Sequence, residues 1–133
     1  MDHTPLSQDT QECIAECLNC YCTCTQTAMI QSLEEGGDYV RAEHFRLMVN
    51  CAEICKTAAD FMLSNSDLQA EVCSVCADVC DACGESCERV GDLDECAQAC
   101  RGCAESCREM ANAVGSQSET PRPSPETPAR PRM

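Results

Sequence analysis

The sequence has little of what normally builds a hydrophobic core. The 133-residue chain contains no Trp, two Tyr and two Phe, and Leu, Ile, Val and Phe together account for only 19 residues. Its formal net charge is -14. So little hydrocarbon with so much charge of one sign is typical of disordered chains, because too little apolar surface is available to offset chain entropy. A folded protein of this composition must be organised by something other than a hydrocarbon core.

The shortage of basic residues and of long apolar runs excludes further classes. Nine Lys and Arg stand against 23 Asp and Glu, with a pI near 4.3, so the chain lacks the basic footprint that captures nucleic acid. No stretch approaches the roughly 20 apolar residues of a membrane span. The first thirty residues contain no Lys or Arg and no apolar run like that of a secretory signal. We therefore expect a soluble, cytoplasmic, acidic domain with neither nucleic acid nor membrane as a partner.

Cysteine, by contrast, is abundant, with 16 residues in the chain. Thiols stay reduced in a cytoplasm, so these residues are not expected to form eight disulfides. Metal binding or redox chemistry is the better interpretation of so many cysteines in that compartment.

Breakers divide residues 9–114 into four helical stretches, predicted at 9–34, 38–63, 66–90 and 92–114. The breakers are Gly36-Gly37, residues 64–66 and Gly91. The predicted N-terminal caps are Asp9, Asp38, Ser66 and Asp92, three of which precede a Glu or Gln by three residues, as in a capping box. Four helices with short connections predict an all-α fold, an antiparallel up-down-up-down four-helix bundle. Residues 1–8 are expected to be a flexible N-terminus, and residues 115–133, with five prolines, a disordered tail.

Fifteen cysteines recur at steps of three and four residues, which places them on one stripe of each predicted helix. They are Cys13, Cys17, Cys20 and Cys24 in the first helix, Cys51 and Cys55 in the second, Cys73, Cys76, Cys80, Cys83 and Cys87 in the third, and Cys96, Cys100, Cys103 and Cys107 in the fourth. Cys22 points away from its stripe. Four inward stripes predict a bundle with a cysteine-lined lumen.

Core filling, disulfide bonding and redox catalysis account for the stripes less well than metal binding does. Cysteine can fill a core as a small hydrophobe, but fifteen of them would leave a poorly packed interior. Disulfides between neighbours on one helix face require strained geometry. The C-x-x-C pairs at 73–76 and 100–103 resemble dithiol redox motifs, but no strand pattern accompanies them.

Metal binding remains, and the spacing favours Cu(I). Cysteines four residues apart on a helix have Cβ atoms about 5–6 Å apart, close enough for two sulfurs to share one ion. Zinc prefers closed sites with four converging ligands, whereas stripes of soft thiolate suit Cu(I) in linear or trigonal coordination. Each Cu(I) that displaces one proton leaves the local charge unchanged. With bridging thiolates the capacity approaches one ion per lumenal cysteine, on the order of 15.

This pattern of Cys-x3-Cys pairs inside a predicted four-helix bundle resembles the bacterial cytosolic copper storage proteins. The resemblance covers the whole folded region. It implies high-capacity Cu(I) storage by a homo-oligomer, usually a tetramer, with the fifteen inward cysteines as ligands. It leaves Cys22 without a ligand role, and we expect that residue to lie at a contact between bundles.

The two ends of the predicted tube differ. Met62, Leu63, Leu68 and Met110 are expected to plug one end with apolar side chains. At the other end, where Cys83, Cys87 and Cys96 face inward, His44 and Met48 are predicted to relay incoming copper, although a surface histidine and a packing methionine are the alternatives. His3 could form an amino-terminal Cu(II) site, and a disordered terminus is the alternative.

The acidic surface is interpreted as a solvated shell or as a docking face for a basic copper chaperone. No nucleophile and base pair or phosphate loop is evident, so we do not expect an enzyme. Two alternatives to copper storage stay open: a general thiolate buffer for zinc or cadmium, similar in role to a metallothionein, and a thiol redox protein with exposed, low-pKa cysteines.

Overall fold

The computed structural model describes residues 6–117, and four long helices account for most of them. They are α1 (Gln8–Gln26), α2 (Ala42–Leu63), α3 (Gln69–Val90) and α4 (Asp94–Gln117). After α1 the chain continues as a π-helical segment, Thr27–Ser32, and three more α-helical residues, Leu33–Glu35. A 3-10 turn, Gly37–Val40, then leads into α2.

The four helices form a ring around a single interior. Each long helix packs against the next one in the chain, and α4 packs back against α1. Because the connections are short, neighbouring helices run in opposite directions. The fold is the predicted all-α, antiparallel up-down-up-down four-helix bundle. No helix within residues 6–117 contains an apolar stretch long enough to span a membrane.

The cap of α1 is not the predicted one. The hydroxyl of Ser7 accepts a hydrogen bond from the backbone N–H of Thr10 at 3.0 Å, and Ser7 has the extended backbone of an N-cap. Asp9 lies in the first turn of the helix, where its carboxylate faces the positive end of the helix dipole. Ser7 and Asp9 both lie before the first cysteine of the helical pattern, so the pattern alone did not show which of them is the cap.

Asp38 and Asp92 are also not the caps that the spacing predicted. Asp38 lies in the 3-10 turn and pairs with Arg41 on the surface, where the two side chains are 3.6 Å apart. Asp92 has a left-handed backbone with a φ of 60° directly after Gly91, so α4 begins two residues later, at Asp94. In both loops the glycine turn extends further than the sequence indicated.

Helix α4 continues past the predicted end at residue 114 and reaches Gln117. Glycine weakens a helix without necessarily stopping it, so Gly115 was a poor stop signal. Residues 1–5 and 118–133 lie outside the described part of the chain, and so do His3 and the five prolines of the predicted tail.

Sulfur and alanine take the place of branched hydrocarbon in the core. Met48, Met62 and cysteines are the largest side chains that are fully buried. Within residues 6–113, Ile14 and Leu93 are the only buried members of the Leu, Ile, Val and Phe set. Alanines fill most of the remaining buried positions, which lets the helices approach closely around the cysteines. The composition that suggested disorder therefore belongs to a bundle with a sulfur core.

Candidate metal centre

All sixteen cysteines are free thiols, and the structure buries fifteen of them in the bundle. These are the same fifteen residues that the helical stripes placed inward. Cys22 is exposed on α1. That these thiols ligate copper stays a prediction, and their geometry shows what they are able to hold.

The shortest sulfur–sulfur distances run between helices. Cys24 lies 3.3 Å from Cys96, and Cys17 lies 3.4 Å from Cys107. Three pairs within one helix, Cys20 with Cys24, Cys76 with Cys80 and Cys103 with Cys107, are each 3.9 Å apart. The helical spacing therefore aligns the thiols, and the packing of α1 against α4 brings the closest of them together.

Five groups of thiols converge closely enough to hold an ion, their sulfurs all within 4.8 Å of one another. Four are quartets and one is a triplet. The quartets are Cys17, Cys76, Cys103 and Cys107; Cys20, Cys55, Cys80 and Cys103; Cys20, Cys24, Cys51 and Cys100; and Cys24, Cys83, Cys96 and Cys100. The triplet is Cys13, Cys73 and Cys107. Cys87 is the one lumenal cysteine outside these groups in the described part of the chain.

Neighbouring groups share sulfur atoms. Cys107 joins the triplet to the first quartet, Cys103 joins the first quartet to the second, and Cys20 joins the second to the third. Cys24 and Cys100 both belong to the third and fourth quartets. The lumen is therefore one continuous chain of thiols along the bundle axis, suited to bridging thiolates.

Sulfur spacing decides which coordination geometry the lumen already matches. With metal–sulfur bonds of about 2.3 Å, two sulfurs lie about 4.6 Å apart in a linear site, about 4.0 Å in a trigonal site and about 3.8 Å in a tetrahedral site. The closest contacts, from 3.3 to 3.9 Å, need little widening for trigonal or tetrahedral coordination. A two-coordinate ion needs more widening than the sequence spacing alone suggested.

Burial and mutual hydrogen bonding set the protonation of the thiols. Contacts with Cys107 and Cys17, together with burial, raise the pKa of Cys103 well above its usual range. Hydrogen bonding with Cys100 and Cys103 lowers the pKa of Cys20. Each group can thus hold a thiolate that accepts S–H bonds from neutral neighbours, which limits the charge buried in the lumen. An incoming cation finds an anionic sulfur and displaces protons from the others.

Cys96 lies at the end of the chain of groups nearest the loops that follow α1 and α3. Hydrogen bonds with Cys100 and Cys24 lower the pKa of Cys96 to about 5. This lowered pKa favours the thiolate form of Cys96, the form that binds soft metals.

His44 lies beside the same end of the lumen. It is only 4% exposed, and Met48, one helical turn along α2, is fully buried. Burial lowers the pKa of His44, against the opposing effect of the Cys83 and Cys96 thiolates. Its Nδ1 lies 2.7 Å from the hydroxyl of Ser86, and its Nε2 is buried with no hydrogen-bond partner among residues 6–117. The structure therefore brings both predicted relay residues into the interior, and neither is a surface side chain.

Sequence reasoning missed two polar residues at this end. Ser86 is 3% exposed and lies three positions after Cys83, so the cysteine stripe itself carried the signal. Ser32 is fully buried and its hydroxyl has no hydrogen-bond partner in the described chain. It is inward because the wider π-helical turn keeps Ala28 and Ser32, at four-residue steps after Cys24, on the buried face. A strict α-helical pattern does not predict that turn.

The opposite end of the lumen is closed by two of the four residues predicted to close it. Met62 is fully buried and Met110 is 6% exposed, with its sulfur 3.9 Å from the Thr10 hydroxyl. Leu63 and Leu68 are both more than half exposed, so the prediction that they plug the tube was wrong. Leu63 follows Met62 and lies about 100° further round the helix, and Leu68 precedes α3 in the connecting loop.

Comparison with known proteins adds an independent line of evidence. The family model described as copper storage protein matches residues 6–112. A solved structure of a protein from Nitrosospira multiformis is 54% identical, with a TM-score of 0.78, over 80% of this chain and 97% of its own. The Cu(I)-bound copper storage protein BsCsp3 is 37% identical, with a TM-score of 0.73, over 78% of this chain and 99% of its own.

An uncharacterised cysteine-rich protein from Bacillus subtilis, YhjQ, is 38% identical over 71 residues. That match spans 53% of this chain and 65% of the relative's length. The family match, by contrast, extends over all four helices of the bundle up to residue 112. The chain belongs to the copper storage protein family.

Proposed function

We propose that this protein binds and stores Cu(I) at high capacity inside its bundle, with the fifteen lumenal cysteines as ligands. The observation that carries the proposal is the sharing of sulfurs between the five thiol groups. Bridging sulfurs let each ion use two or three thiolates while each thiolate serves more than one ion. The capacity is then about one Cu(I) for each lumenal cysteine, on the order of 15.

A general zinc or cadmium buffer is the second candidate, because the quartet spacing also fits tetrahedral coordination. Sharing of sulfurs separates the two functions. Of the four quartets, no more than two can be filled at once without using one sulfur twice. Closed zinc sites of four cysteines would therefore number about two, far below the copper capacity.

Anaerobic titration of the reduced protein with Cu(I), and separately with Zn(II), against a competing chelator tests the proposal. We expect saturation near 15 Cu(I) and near two tightly bound Zn(II). Cys22→Ser is the matched control, because this exposed thiol belongs to none of the groups in the described chain and its loss leaves the capacity unchanged. Saturation at one or two Cu(I) contradicts storage, and equal capacities for both metals favour the general buffer.

Copper is expected to enter at the end that carries His44 and Met48. Support comes from the unpartnered Nε2 of His44 and from the low pKa of Cys96 at that end. The opposite end is closed by Met62 and Met110. A copper ion passing from a carrier to the first thiolates would thus meet an imidazole and a thioether before the continuous sulfur chain.

The proposed assembly is a homo-oligomer, a tetramer by the family resemblance. In its support, Leu18, Met29, Ile30 and Leu33 are exposed along α1 and the helical residues that follow it, and Cys22 is exposed on α1 as well. Exposed apolar patches of this kind commonly mark protein contacts. Light scattering of the wild type and of Ile30→Asp tests this: about four chains are expected for the wild type and fewer for the variant. A monomeric wild type contradicts it.

Cytoplasmic storage and delivery by a basic copper chaperone complete the proposal, and no catalytic role is assigned. The carboxylates of Asp92, Glu35 and Asp38 lie near Tyr39 at the proposed copper mouth. Burial raises the pKa of Tyr39, and the negative charges of these three carboxylates raise it further. A basic carrier would be attracted to that end, and the attraction would weaken with salt. The burial of every cysteine except Cys22 disfavours a dithiol redox role, which needs accessible thiols.

A further inference from the structure

A buried hydrogen bond joins α2 to α3 at the proposed copper mouth. His44 is 4% exposed and Ser86 is 3% exposed, and the distance from Nδ1 to the hydroxyl oxygen is 2.7 Å. Neither residue provides a sulfur ligand. Two polar side chains are nevertheless buried here, in a bundle whose other interior positions are almost all sulfur or alanine.

The partners of the two ring nitrogens differ. Nδ1 faces the Ser86 hydroxyl, whereas Nε2 is buried with no partner in the described chain. A neutral imidazole carries its hydrogen on one nitrogen only. With the hydrogen on Nε2, a buried N–H group would lack an acceptor, which is rare in proteins. With the hydrogen on Nδ1, that group donates to the hydroxyl of Ser86 and Nε2 keeps a free lone pair.

The second arrangement is the one that a metal-binding histidine needs. Such a histidine binds the metal through one nitrogen and donates the N–H of the other to a nearby acceptor, which fixes both the tautomer and the orientation of the ring. The thiolates of Cys83 and Cys96 are close enough to act on the imidazole of His44. The free Nε2 therefore belongs to the same end of the lumen as the last cysteine quartet.

We propose that Ser86 is a positioning residue for copper uptake: its hydroxyl accepts a hydrogen bond from Nδ1–H of His44 and leaves Nε2 as the nitrogen that receives Cu(I). This inference rests on the proposed storage function. It assigns a role to a residue that no cysteine pattern includes, and it explains why a polar atom is left without a partner inside the protein.

The first test needs no copper. Long-range ¹H–¹⁵N correlation spectra of the reduced, copper-free protein distinguish the tautomers of a neutral imidazole, because a bare ring nitrogen resonates far from a protonated one. The substitution His3→Gln leaves His44 as the only histidine. In that background we expect the Nδ1–H tautomer, which is retained in Ser86→Thr and lost or mixed with the other tautomer in Ser86→Ala. A hydrogen on Nε2 in the background protein, or an unchanged tautomer in Ser86→Ala, overturns the inference.

The second test measures how fast Cu(I) is taken up from a chelator complex. Ser86→Ala is expected to slow uptake about 10-fold or more, the usual effect of losing a residue that orients a metal ligand. Ser86→Thr should keep the wild-type rate. The double variant Ser86→Ala/His44→Ala should be no slower than His44→Ala alone, because Ser86 acts through His44. Equal rates in wild type and Ser86→Ala overturn the inference.

Final capacity separates this inference from the storage proposal. All fifteen lumenal thiols and His44 are intact in Ser86→Ala and Ser86→Thr, so both should load as much copper as the wild type. A wild type that binds only one or two ions refutes storage itself, and the tautomer spectra still decide what Ser86 does to His44. Thermal unfolding of each variant shows whether it is folded. If a Ser86 variant does not fold, the spectrum of the His3→Gln protein still shows which ring nitrogen of His44 carries the hydrogen, because that protein has no substitution at position 86.

Discussion

Filling the lumen with Cu(I) is expected to stabilise the bundle strongly. The interior consists largely of thiols and alanines, with Ile14 and Leu93 as the only buried branched hydrocarbon side chains of residues 6–113. Copper would join the helices through bonds that cross between them, since each of the five thiol groups takes its sulfurs from at least three helices. Binding to the native state therefore adds directly to the free energy of unfolding.

The size of the effect follows from the number of groups. One site filled at a free Cu(I) concentration of 100 times its Kd adds about 2.7 kcal/mol. For a domain of about this size, 1 kcal/mol shifts the thermal midpoint by roughly 4–8 °C, so a single filled group gives about 10–20 °C. With five groups in the described chain, full loading should move the midpoint beyond the range of an ordinary melt.

Anaerobic far-UV circular dichroism, which reports helix content, measures this shift when it is recorded at increasing Cu(I) per chain. We expect the midpoint to rise progressively with loading, and Cys22→Ser to behave like the wild type because its thiol is exposed. Binding of copper to thiols of the unfolded chain reduces the shift without removing it. Equal midpoints with and without copper would refute the idea that metal completes the core.

Three further predictions follow from particular residues. His44→Ala should slow copper uptake without lowering final capacity, since no lumenal thiol is lost; a rate equal to wild type in stopped-flow transfer removes His44 from the route. Met62→Ala should lower the unfolding free energy of the copper-free protein by about 2–5 kcal/mol, because Met62 is fully buried, whereas Leu63→Ala, at a position 56% exposed, should change it little; equal urea midpoints for the two variants contradict the closed end. Uptake should slow as the pH falls through about 5, because Cys96 then gains a proton that copper must displace, and a flat rate between neutral and acid pH contradicts this role.

The cysteine stripes and the bundle were predictable because both depend on one strong periodicity. Steps of three and four residues fix a helix face whatever the side chain is. The identity of the face residues then placed fifteen thiols inward, and the structure buries all of them. Short loops between the four stretches determined the antiparallel order.

Features that depend on loop geometry or on contacts between helices were not predictable. Several residues near a helix start can act as the cap, so Ser7 replaced Asp9 and the glycine turns displaced Asp38 and Asp92. The inward position of Ser32 depends on a π-helical turn that no spacing rule indicated. Which thiols approach most closely, such as Cys24 and Cys96, depends on the packing of α1 against α4.

The partnership of His44 and Ser86 was hidden for a similar reason. The two residues are 42 positions apart on different helices, and only the fold brings Nδ1 within 2.7 Å of the hydroxyl. The sequence offered a histidine on the inward stripe of the second helix. It offered no sign that one of its nitrogens would be occupied by a serine and the other left free.

Anomalous diffraction at the copper edge, from crystals of the protein loaded anaerobically with Cu(I), would show whether the lumen is the copper store. We expect a row of copper peaks along the bundle axis, on the order of 15 ions, with sulfurs at about 2.3 Å and with Cys20, Cys24, Cys100, Cys103 and Cys107 each bridging more than one ion. Copper confined to one or two sites, or bound on the outer surface with the lumen still empty, would contradict storage in the lumen.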